Sequence, residues 1–241
     1  MNMTKKGGGR HLKRMKAPGY WPIAKREYKW TVKPRPGPHP IDKGIPLLII
    51  VRDILKLATT AREAKRIIHE KNILIDGRPV YDHKFQVGLL DTLAIPKAEI
   101  YARMTSDPTK YLKLIGIPKE EVELKVVRVK NKVAVKGGKI QLTGHDGRNF
   151  LTEPGSELAS VRVGDSLLIR VPSQEVLDVL RLEEGALALV ISGRRAGRIG
   201  RIEKIGEFVE IRDFEDPNLT YRALKESLIV IGKENPAIKV R

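Results

Sequence analysis

The segment VISGRRAGRIGRI, from Val190 to Ile202, holds the residue types with the clearest binding chemistry in this sequence. It contains four arginines and three glycines, namely Arg194, Arg195, Arg198 and Arg201 with Gly193, Gly197 and Gly200. Guanidinium groups bind phosphates through forked hydrogen bonds, and glycines allow positive φ angles and the close approach of another backbone. Apolar residues alternate on both sides, so the segment predicts a β-hairpin with a phosphate-binding loop. The alternative is a tight hairpin whose arginines pair with Glu203, Glu207 and Glu210.

The charge of the whole chain also favours a polyanionic partner. Its 241 residues include 46 Lys and Arg against 29 Asp and Glu, a net charge of +17. Residues 1–45 carry 12 basic and 2 acidic groups, a net +10, whereas residues 173–241 carry 12 of each. The absence of cysteine excludes disulfides and thiolate sites, and no apolar stretch approaches the roughly 18 residues of a membrane span. We therefore expect a cytosolic protein without a membrane segment.

Residues 1–44 are predicted to form a basic, extended arm. Six prolines, including those of KPRPGPHP (Lys33–Pro40), disfavour regular pairing. The arm is either a disordered tail or a segment that becomes ordered on RNA, and its two tryptophans favour the second. Deletion of the arm is then expected to weaken RNA binding while the remaining domains stay folded. Its candidate RNA-binding residues are Arg10, His11, Lys13, Arg14, Lys16, Trp21, Trp30, Lys33 and Arg35.

The pair His145-Asp146, in LTGHDGRNFL, is the first candidate for catalysis or metal binding. One His and one Asp without further clustered ligands do not make a metal site. We interpret the segment as a turn that contains Gly147 and is stabilised by the Asp146 side chain. His145 and Arg148 are then candidates for RNA contact. We predict no catalytic residue, no metal and no cofactor.

Two helices and several short strands are predicted between Ile45 and Ile95. IPLLIIVRDILKLA has helical apolar spacing, TTAREAKRIIHEK starts with a capping box of Thr60 and Glu63, and ILIDGRPVY turns at Asp76-Gly77. AKRIIHEKNI, LIDGRPV and VGLLDTL resemble the small RNA-binding domain named from bacterial small-subunit ribosomal protein four, which presents its second helix and hairpin to RNA. The resemblance implies that RNA is contacted by Arg62, Lys65, Arg66, Lys71 and Arg78. A solvated helix face is the alternative.

The remainder of the chain is predicted to be β structure. LKVVRVKNKVAVKGGKIQLT alternates apolar with outward basic residues and has turn signals at Asn131-Lys132 and Gly137-Gly138. Four later strands are predicted in GALALVISG, RIGRIEKI, EFVEIRDF and LIVIG. The glycine spacing of the Gly-Arg segment resembles the KOW motif of ribosomal proteins and NusG-type elongation factors. That resemblance implies a small, SH3-like β-barrel at the C-terminus.

The order of these modules resembles one family from roughly Arg10 to Gly232. HLKRMKAPGYWPI and KPRPGPHP come first, then GIPLLIIVRD in the helix–hairpin unit, LTGHDGRNF in a β domain, and the KOW hairpin. The family is the archaeal and eukaryotic small-subunit ribosomal protein called four-e. It implies an α+β, multi-domain fold with divisions at residues 1–44, 45–95, 96–173 and 174–241. It also implies a structural rRNA-binding protein of the small ribosomal subunit, which acts in cytoplasmic translation beside neighbouring ribosomal proteins. Such a protein is expected to form no homo-oligomer and to bind no small-molecule substrate.

Two other classes of protein are weighed against this interpretation. An RNA-modifying enzyme would need a large additional catalytic domain, and the nearest counterpart of an Arg-Leu-Asp catalytic segment is Arg181-Leu182-Glu183. A KOW-containing transcription or translation factor would bind RNA transiently, and the long basic arm argues against it because such a factor must dissociate. A membrane-surface role is disfavoured because the prolines of the arm prevent a continuous amphipathic helix.

Overall fold

The computed structural model describes residues 9–241, which are mostly β structure with few helices. The 19 strands of this range form three five-stranded antiparallel sheets and two isolated strand pairs. None of its helices is long and apolar enough to cross a membrane. The predicted multi-domain organisation is confirmed, whereas the predicted α+β class overstates the helical part.

The basic arm is partly folded. β1 (Leu12–Lys13) pairs with β2 (Trp30–Thr31), and a 3-10 turn spans Arg14–Lys16. The run Lys33–Pro40 contains no strand, as its prolines led us to expect. The short β1–β2 pair was not predicted, and neither of its strands contains a proline. Residues 1–8 of the predicted arm lie outside the described part of the chain.

The apolar segment that follows the arm forms a compact helical turn. β3 (Gly44–Pro46) leads into α1 (Leu47–Ile49), which continues as a π-helical turn over Ile50–Ile54. Residues 47–51 are all buried, so this segment is enclosed on every side rather than on one helical face. β3 pairs with β6 (Gln86–Gly88), which fixes the end of the arm to the body of the protein.

The second helix, α2 (Ala61–His69), begins with a cap of the predicted type. The Thr60 hydroxyl accepts a hydrogen bond from the Glu63 N–H at 3.2 Å. The Glu63 carboxylate accepts one from the Thr59 N–H at 2.9 Å, one residue before the position that a standard capping box uses. Ala64 and Ile68 face the core, and the other side of the helix is exposed.

The predicted Asp-Gly hairpin belongs to the first five-stranded sheet, in the order β5-β4-β7-β8-β9. Its strands are β4 (Leu74–Ile75), β5 (Arg78–Pro79), β7 (Thr92–Ile95), β8 (Ile100–Asp107) and β9 (Tyr111–Gly116). Asp76 and Gly77 have φ angles of 48° and 72°, which the predicted two-residue turn requires. The predicted boundary at residue 95 falls inside this sheet, because β7 pairs with β8 along its whole length.

The second sheet has the order β12-β11-β10-β13-β14. Its strands are β10 (Leu124–Ala134), β11 (Ile140–Gly144), β12 (Asn149–Thr152), β13 (Ser166–Arg170) and β14 (Glu175–Leu180). β10 continues through Asn131-Lys132, which pair regularly with Thr143 and Leu142, so the prediction of a turn there is wrong. The register against β11 shifts just before this dipeptide, between Val129 and Asn131, which makes Lys130 the extra residue of a bulge. The turn lies at Gly137-Gly138, where φ is 85° and 72°. β14 pairs with β13, which carries this sheet past the predicted boundary at residue 173.

The third sheet has the order β18-β17-β16-β15-β19. Its strands are β15 (Leu187–Val190), β16 (Ile199–Ile205), β17 (Phe208–Asp213), β18 (Thr220–Leu224) and β19 (Leu228–Gly232). The four predicted strands are present, and β18 is additional. β18 lies at the sheet edge and buries no residue, which explains why its sequence shows no apolar run.

The three sheets meet through polar side chains as well as apolar ones. Arg103 of β8 is fully buried and donates hydrogen bonds to the carbonyl oxygens of Lys239 at 2.7 Å and Leu124 at 2.8 Å. The Ser106 hydroxyl, also on β8, donates to the carbonyl oxygen of Val190 at 2.9 Å. The first sheet is thereby joined to the start of the second and to the third.

Candidate nucleic-acid interface

The Gly-Arg loop, residues 191–198, connects β15 to β16. Gly193 and Gly197 have φ angles of 89° and 82°, the left-handed conformation predicted for them. A Cβ atom on Gly197 would lie 2.5 Å from the carbonyl oxygen of Ser106. The loop is therefore held against the first sheet, and Gly197 is needed for this close approach.

Gly200 has a different role from the one predicted. It lies in β16, outside the loop, and its φ is not positive. A Cβ atom there would lie 2.3 Å from the Ile211 side chain and 2.6 Å from the carbonyl oxygen of Arg212. Gly200 therefore allows β16 and β17 to pack closely and does not shape the turn.

Three of the four arginines in the segment are at least partly exposed to solvent. Arg194 and Arg201 are exposed, and the Arg195 guanidinium lies 6.0 Å from the centre of the Tyr221 ring. None of the three forms an ion pair with a carboxylate of residues 9–241. Their charges are therefore available to an external anion.

Arg198 is the exception, because its Nη1 lies 2.6 Å from Oδ2 of Asp213. Burial raises the pKa of Asp213, but the Arg198 guanidinium outweighs burial and holds that pKa below its usual range. Glu203 and Glu210 pair with arginines of β17 and β18 instead of those of the segment. The alternative, in which the segment's arginines pair with Glu203, Glu207 and Glu210, is therefore wrong.

A second basic surface lies on α2 and the hairpin. All five candidates in this region are exposed, namely Arg62, Lys65, Arg66, Lys71 and Arg78. Arg66 Nε is 3.8 Å from Glu70, a surface pair of little energetic weight. Lys71 Nζ lies 5.7 Å from the centre of the Tyr81 ring. These five side chains are accessible to a polyanion.

Two of the nine candidates in the arm are internal. Trp21 is 2% exposed, and its Nε1 donates to the carbonyl oxygen of Gly44 at 3.0 Å. Arg14 is 5% exposed, and its Nε donates to the carbonyl oxygen of Ala24 at 3.2 Å. Neither side chain is available to RNA in this structure, contrary to the prediction, because the arm folds back onto the first core.

The other candidates of the arm reach the surface. Those that are exposed are Arg10, His11, Lys13, Lys16, Trp30 and Arg35, and Lys33 is partly exposed. The Trp30 ring is 50% exposed and lies between His11 and Lys29, each 5.5 Å from its centre. Lys25, Arg26 and Lys29 are also exposed and were missed by the sequence reasoning, although their positive charge alone could have identified them.

A buried charge network lies where the arm, the first sheet and the second sheet meet. The side chain of Lys125, on β10, is 0% exposed, and its Nζ lies 2.6 Å from Asp76, 2.6 Å from Asp91 and 3.0 Å from Asp146. The sequence predicted Lys125 to point outward, as a basic residue of an alternating strand. Both faces of β10 are covered at this position, and the three carboxylates replace the water that the ammonium group loses.

Two further cations complete this network. Arg148 lies 2.6 Å from Asp76 and 2.8 Å from Asp146, and His39 Nε2 lies 2.9 Å from Asp91. With His39 protonated, three cations balance three carboxylates. The Arg148 side chain is thus paired in the interior, contrary to its predicted RNA contact. Asp146 also stabilises its turn, as predicted, because its side chain accepts a hydrogen bond from the Arg148 N–H at 3.2 Å.

The two histidines near this network have opposite pKa shifts. Burial lowers the pKa of His39, but the Asp91 carboxylate outweighs burial and leaves that pKa above its ordinary value of 6.5. Burial lowers the pKa of His145 to about 4. His145 Nδ1 accepts the N–H of Arg128 at 3.1 Å, and Nε2 lies 3.3 Å from the carbonyl oxygen of Leu89. Both ring nitrogens are therefore occupied internally, so the predicted RNA contact of His145 does not fit this structure.

These shifts predict that the free energy of unfolding has a maximum near pH 6.5 with respect to the two histidines. Above pH 6.5 the folded state retains a proton on His39 that the unfolded chain releases. The stabilisation from the His39–Asp91 pair is therefore lost as the pH rises through the raised pKa of His39. Below pH 6.5 the unfolded chain protonates His145 first, so stability falls toward pH 4. Each slope is at most about 1.4 kcal/mol per pH unit.

Chemical denaturation between about pH 4 and pH 8 would measure both slopes. His39→Gln should flatten the profile above pH 6.5, and His145→Gln should flatten it below that pH. A wild-type profile retained in both variants would contradict the assignment.

Comparisons with known proteins match nearly the whole chain. Family models described as "Ribosomal family S4e" and "RS4NT (NUC023) domain" match residues 98–176 and 6–42. "Small ribosomal subunit protein eS4" from Korarchaeum cryptofilum is 59% identical over 239 residues, 99% of this chain and 100% of that protein. The protein of that name from Ignicoccus hospitalis is 47% identical and covers 99% of this chain and 98% of its own length. A crystal structure of the 30S ribosomal protein S4e from Thermoplasma acidophilum is 30% identical, with a TM-score of 0.69, and covers 83% of this chain and 100% of that one. The sequence identity over the full length and the shared fold show that this chain belongs to the ribosomal protein family S4e.

Proposed function

We propose that this protein is a structural constituent of the small ribosomal subunit that binds and stabilises rRNA in translation. Its relatives are named small ribosomal subunit proteins, which places it on the cytoplasmic ribosome with rRNA and ribosomal proteins as partners. The family consists of structural proteins of the ribosome and not of enzymes. These relatives favour a fixed ribosomal component over the alternative of a transiently bound KOW factor.

One observation carries the proposal of RNA contact. The charges of the interior are balanced within the network around Lys125, whereas three surface regions expose cations, most of which pair with no carboxylate of residues 9–241. The exceptions are Arg35, Arg66 and Arg198, which pair with Asp82, Glu70 and Asp213. The regions are the arm, the α2–hairpin surface and the Gly-Arg loop. A folded RNA offers phosphates at many points of its surface, so separate basic regions on a rigid body suit recognition by shape and charge.

We also assign the modules of the fold. The two helices and the hairpin correspond to the small RNA-binding domain, and the third sheet corresponds to a KOW-type, SH3-like barrel. The arm retains the division at residue 44, while the sheets favour units of residues 45–116, 124–180 and 187–241 over the divisions predicted from sequence. The residues proposed to contact RNA are Arg10, His11, Lys13, Lys16, Trp30, Lys33, Arg35, Arg62, Lys65, Arg66, Lys71, Arg78, Arg194, Arg195 and Arg201.

The combined replacement of Arg194, Arg195 and Arg201 by glutamine tests the proposal at the Gly-Arg loop. Each phosphate contact adds roughly 0.7 to 0.9 to the slope of log K against log salt, because it releases counterions. The triple variant is therefore expected to bind small-subunit rRNA more weakly and to lower that slope by about two. Filter binding of the full-length protein at a series of salt concentrations measures both quantities.

A matched control uses arginines of the same sheet that already have carboxylate partners. Arg212 pairs with Glu203, and Arg222 Nη2 lies 2.8 Å from Glu210. Arg212→Gln with Arg222→Gln removes two positive charges but should leave the salt slope close to that of the wild type. Equal slopes for the loop variant and the wild type would show that the loop does not bind phosphate.

A further inference from the structure

A cavity lies beside the buried charge network. Its volume is about 650 Å³, within the range of about 300–1,000 Å³ that is usual for small-ligand sites. Its walls come from the proline-rich end of the arm, the Asp-Gly hairpin and the turn after β11, with Gln174 from the β13–β14 turn. Several separate parts of the chain therefore build one concave surface.

The walls are chiefly apolar and include one exposed aromatic ring. Pro38, Pro79, Val80 and Phe85 line the cavity together with Tyr81. Tyr81 is 58% exposed although the Phe85 and Val80 side chains beside the same cavity are largely covered. An exposed ring at the edge of an apolar cavity offers a flat surface on which a planar group can stack.

One cation in the lining of the cavity remains free to bind an anionic group. The three carboxylates at its floor are balanced by Lys125, Arg148 and a protonated His39. Asp82 at its edge lies 3.0 Å from Arg35. Arg78 lines the cavity, is exposed and has no carboxylate partner within residues 9–241. A ligand that combines a planar, mainly apolar group with a phosphate matches these features.

We propose that this cavity receives one unpaired RNA nucleobase, which stacks on Tyr81 while its phosphate binds Arg78. The inference rests on the proposed rRNA-binding function and names a single-nucleotide site within it. Unpaired bases are the parts of folded RNA that proteins take up by stacking on aromatic rings, because paired bases are inaccessible in the A-form helix.

Ultraviolet crosslinking of the full-length protein to small-subunit rRNA, followed by mass spectrometry, tests this site directly. We expect a nucleotide on the peptide that contains Tyr81. Tyr81→Ala should abolish this crosslink and weaken binding roughly five- to 150-fold, the loss typical of one base–aromatic stack, with the salt slope unchanged. Tyr81→Phe should retain both, because the ring is preserved. Arg78→Gln should lower the slope by roughly 0.7 to 0.9.

Phe208→Ala is the matched control, since Phe208 is 46% exposed and lies outside the cavity. It should bind rRNA as the wild type does. If the wild type binds rRNA with a steep salt slope but Tyr81→Ala binds equally well, or the Tyr81 peptide carries no nucleotide, the nucleobase site is wrong. A crosslink of that peptide to a ribosomal protein in the assembled subunit would equally overturn it. Failure of the wild type to bind rRNA would instead contradict the proposed function itself.

Discussion

Replacement of Lys125 by methionine is expected to lower the free energy of unfolding by about 3–5 kcal/mol. The ammonium group is fully buried and contacts Asp76, Asp91 and Asp146 at 3.0 Å or less. Without it, three carboxylates would remain in the interior with only Arg148 and a protonated His39 to balance them. Burial lowers the pKa of Lys125, but the attraction of the three carboxylates outweighs burial and leaves that pKa well above its usual range. Chemical denaturation at pH 6.5, followed by circular dichroism, measures the loss.

The matched control lies on the same strand. Lys130 is exposed, so Lys130→Met should change the free energy of unfolding by no more than about 0.5 kcal/mol. Adding Asp91→Asn to Lys125→Met should recover part of the loss, because it removes one of the three carboxylates that Arg148 and His39 would then balance only in part. If Lys125→Met were as stable as Lys130→Met, the network would not contribute to stability.

Replacement of Trp21 by alanine is expected to cost about 3–5 kcal/mol, as for other buried aromatic residues. The indole is 2% exposed and belongs to the core that includes α1, α2 and the first sheet. Its Nε1 and the Tyr20 hydroxyl both donate to the carbonyl oxygen of Gly44, at 3.0 and 2.9 Å. Truncation would leave a cavity and remove one of these bonds. Thermal and chemical denaturation of Trp21→Ala measure the effect.

Trp30→Ala provides the comparison, because Trp30 is 50% exposed and its replacement should affect stability far less.

The contacts of Trp21 and His39 correct the expected outcome of deleting residues 1–44. That deletion removes Trp21 from the core and His39 from the network, so we expect the remaining chain to be strongly destabilised instead of staying folded. A deletion variant with the stability of the full-length protein would contradict both the correction and the assigned role of Trp21.

The features that could be predicted from sequence depend on neighbours a few residues apart. The Asp76-Gly77 turn requires two adjacent residues with positive φ, and the start of α2 requires a hydroxyl near the first free N–H groups. Alternation of apolar residues likewise located most strands of the second and third sheets. β18 was not predicted, because an edge strand with no buried residue has no apolar pattern.

The errors involve residues whose surroundings come from distant parts of the chain. Lys125 contacts carboxylates 49 and 34 residues away, and Arg103 bonds to a carbonyl group 136 residues away. Trp21 has the same local sequence context, a basic segment with prolines, as Trp30, yet one is buried and the other is half exposed. The local sequence around a charged or aromatic residue in a polar segment is similar whether that residue faces RNA or is buried in the interior.

The sequence by itself determined the net charge, the main turns, the helix cap, most strands and, through the order of its modules, the family. Each of these depends on composition or on contacts within one or two turns of chain. The tertiary structure alone decided which cations remain free for a polyanion. It placed Arg14, Lys125, Arg148 and Arg198 in internal contacts. Arg14 and Arg198 find their partners within the arm and within the third sheet. Burial of Lys125 and Arg148 without a partner would be costly, and their carboxylates became adjacent only when the first and second sheets packed together.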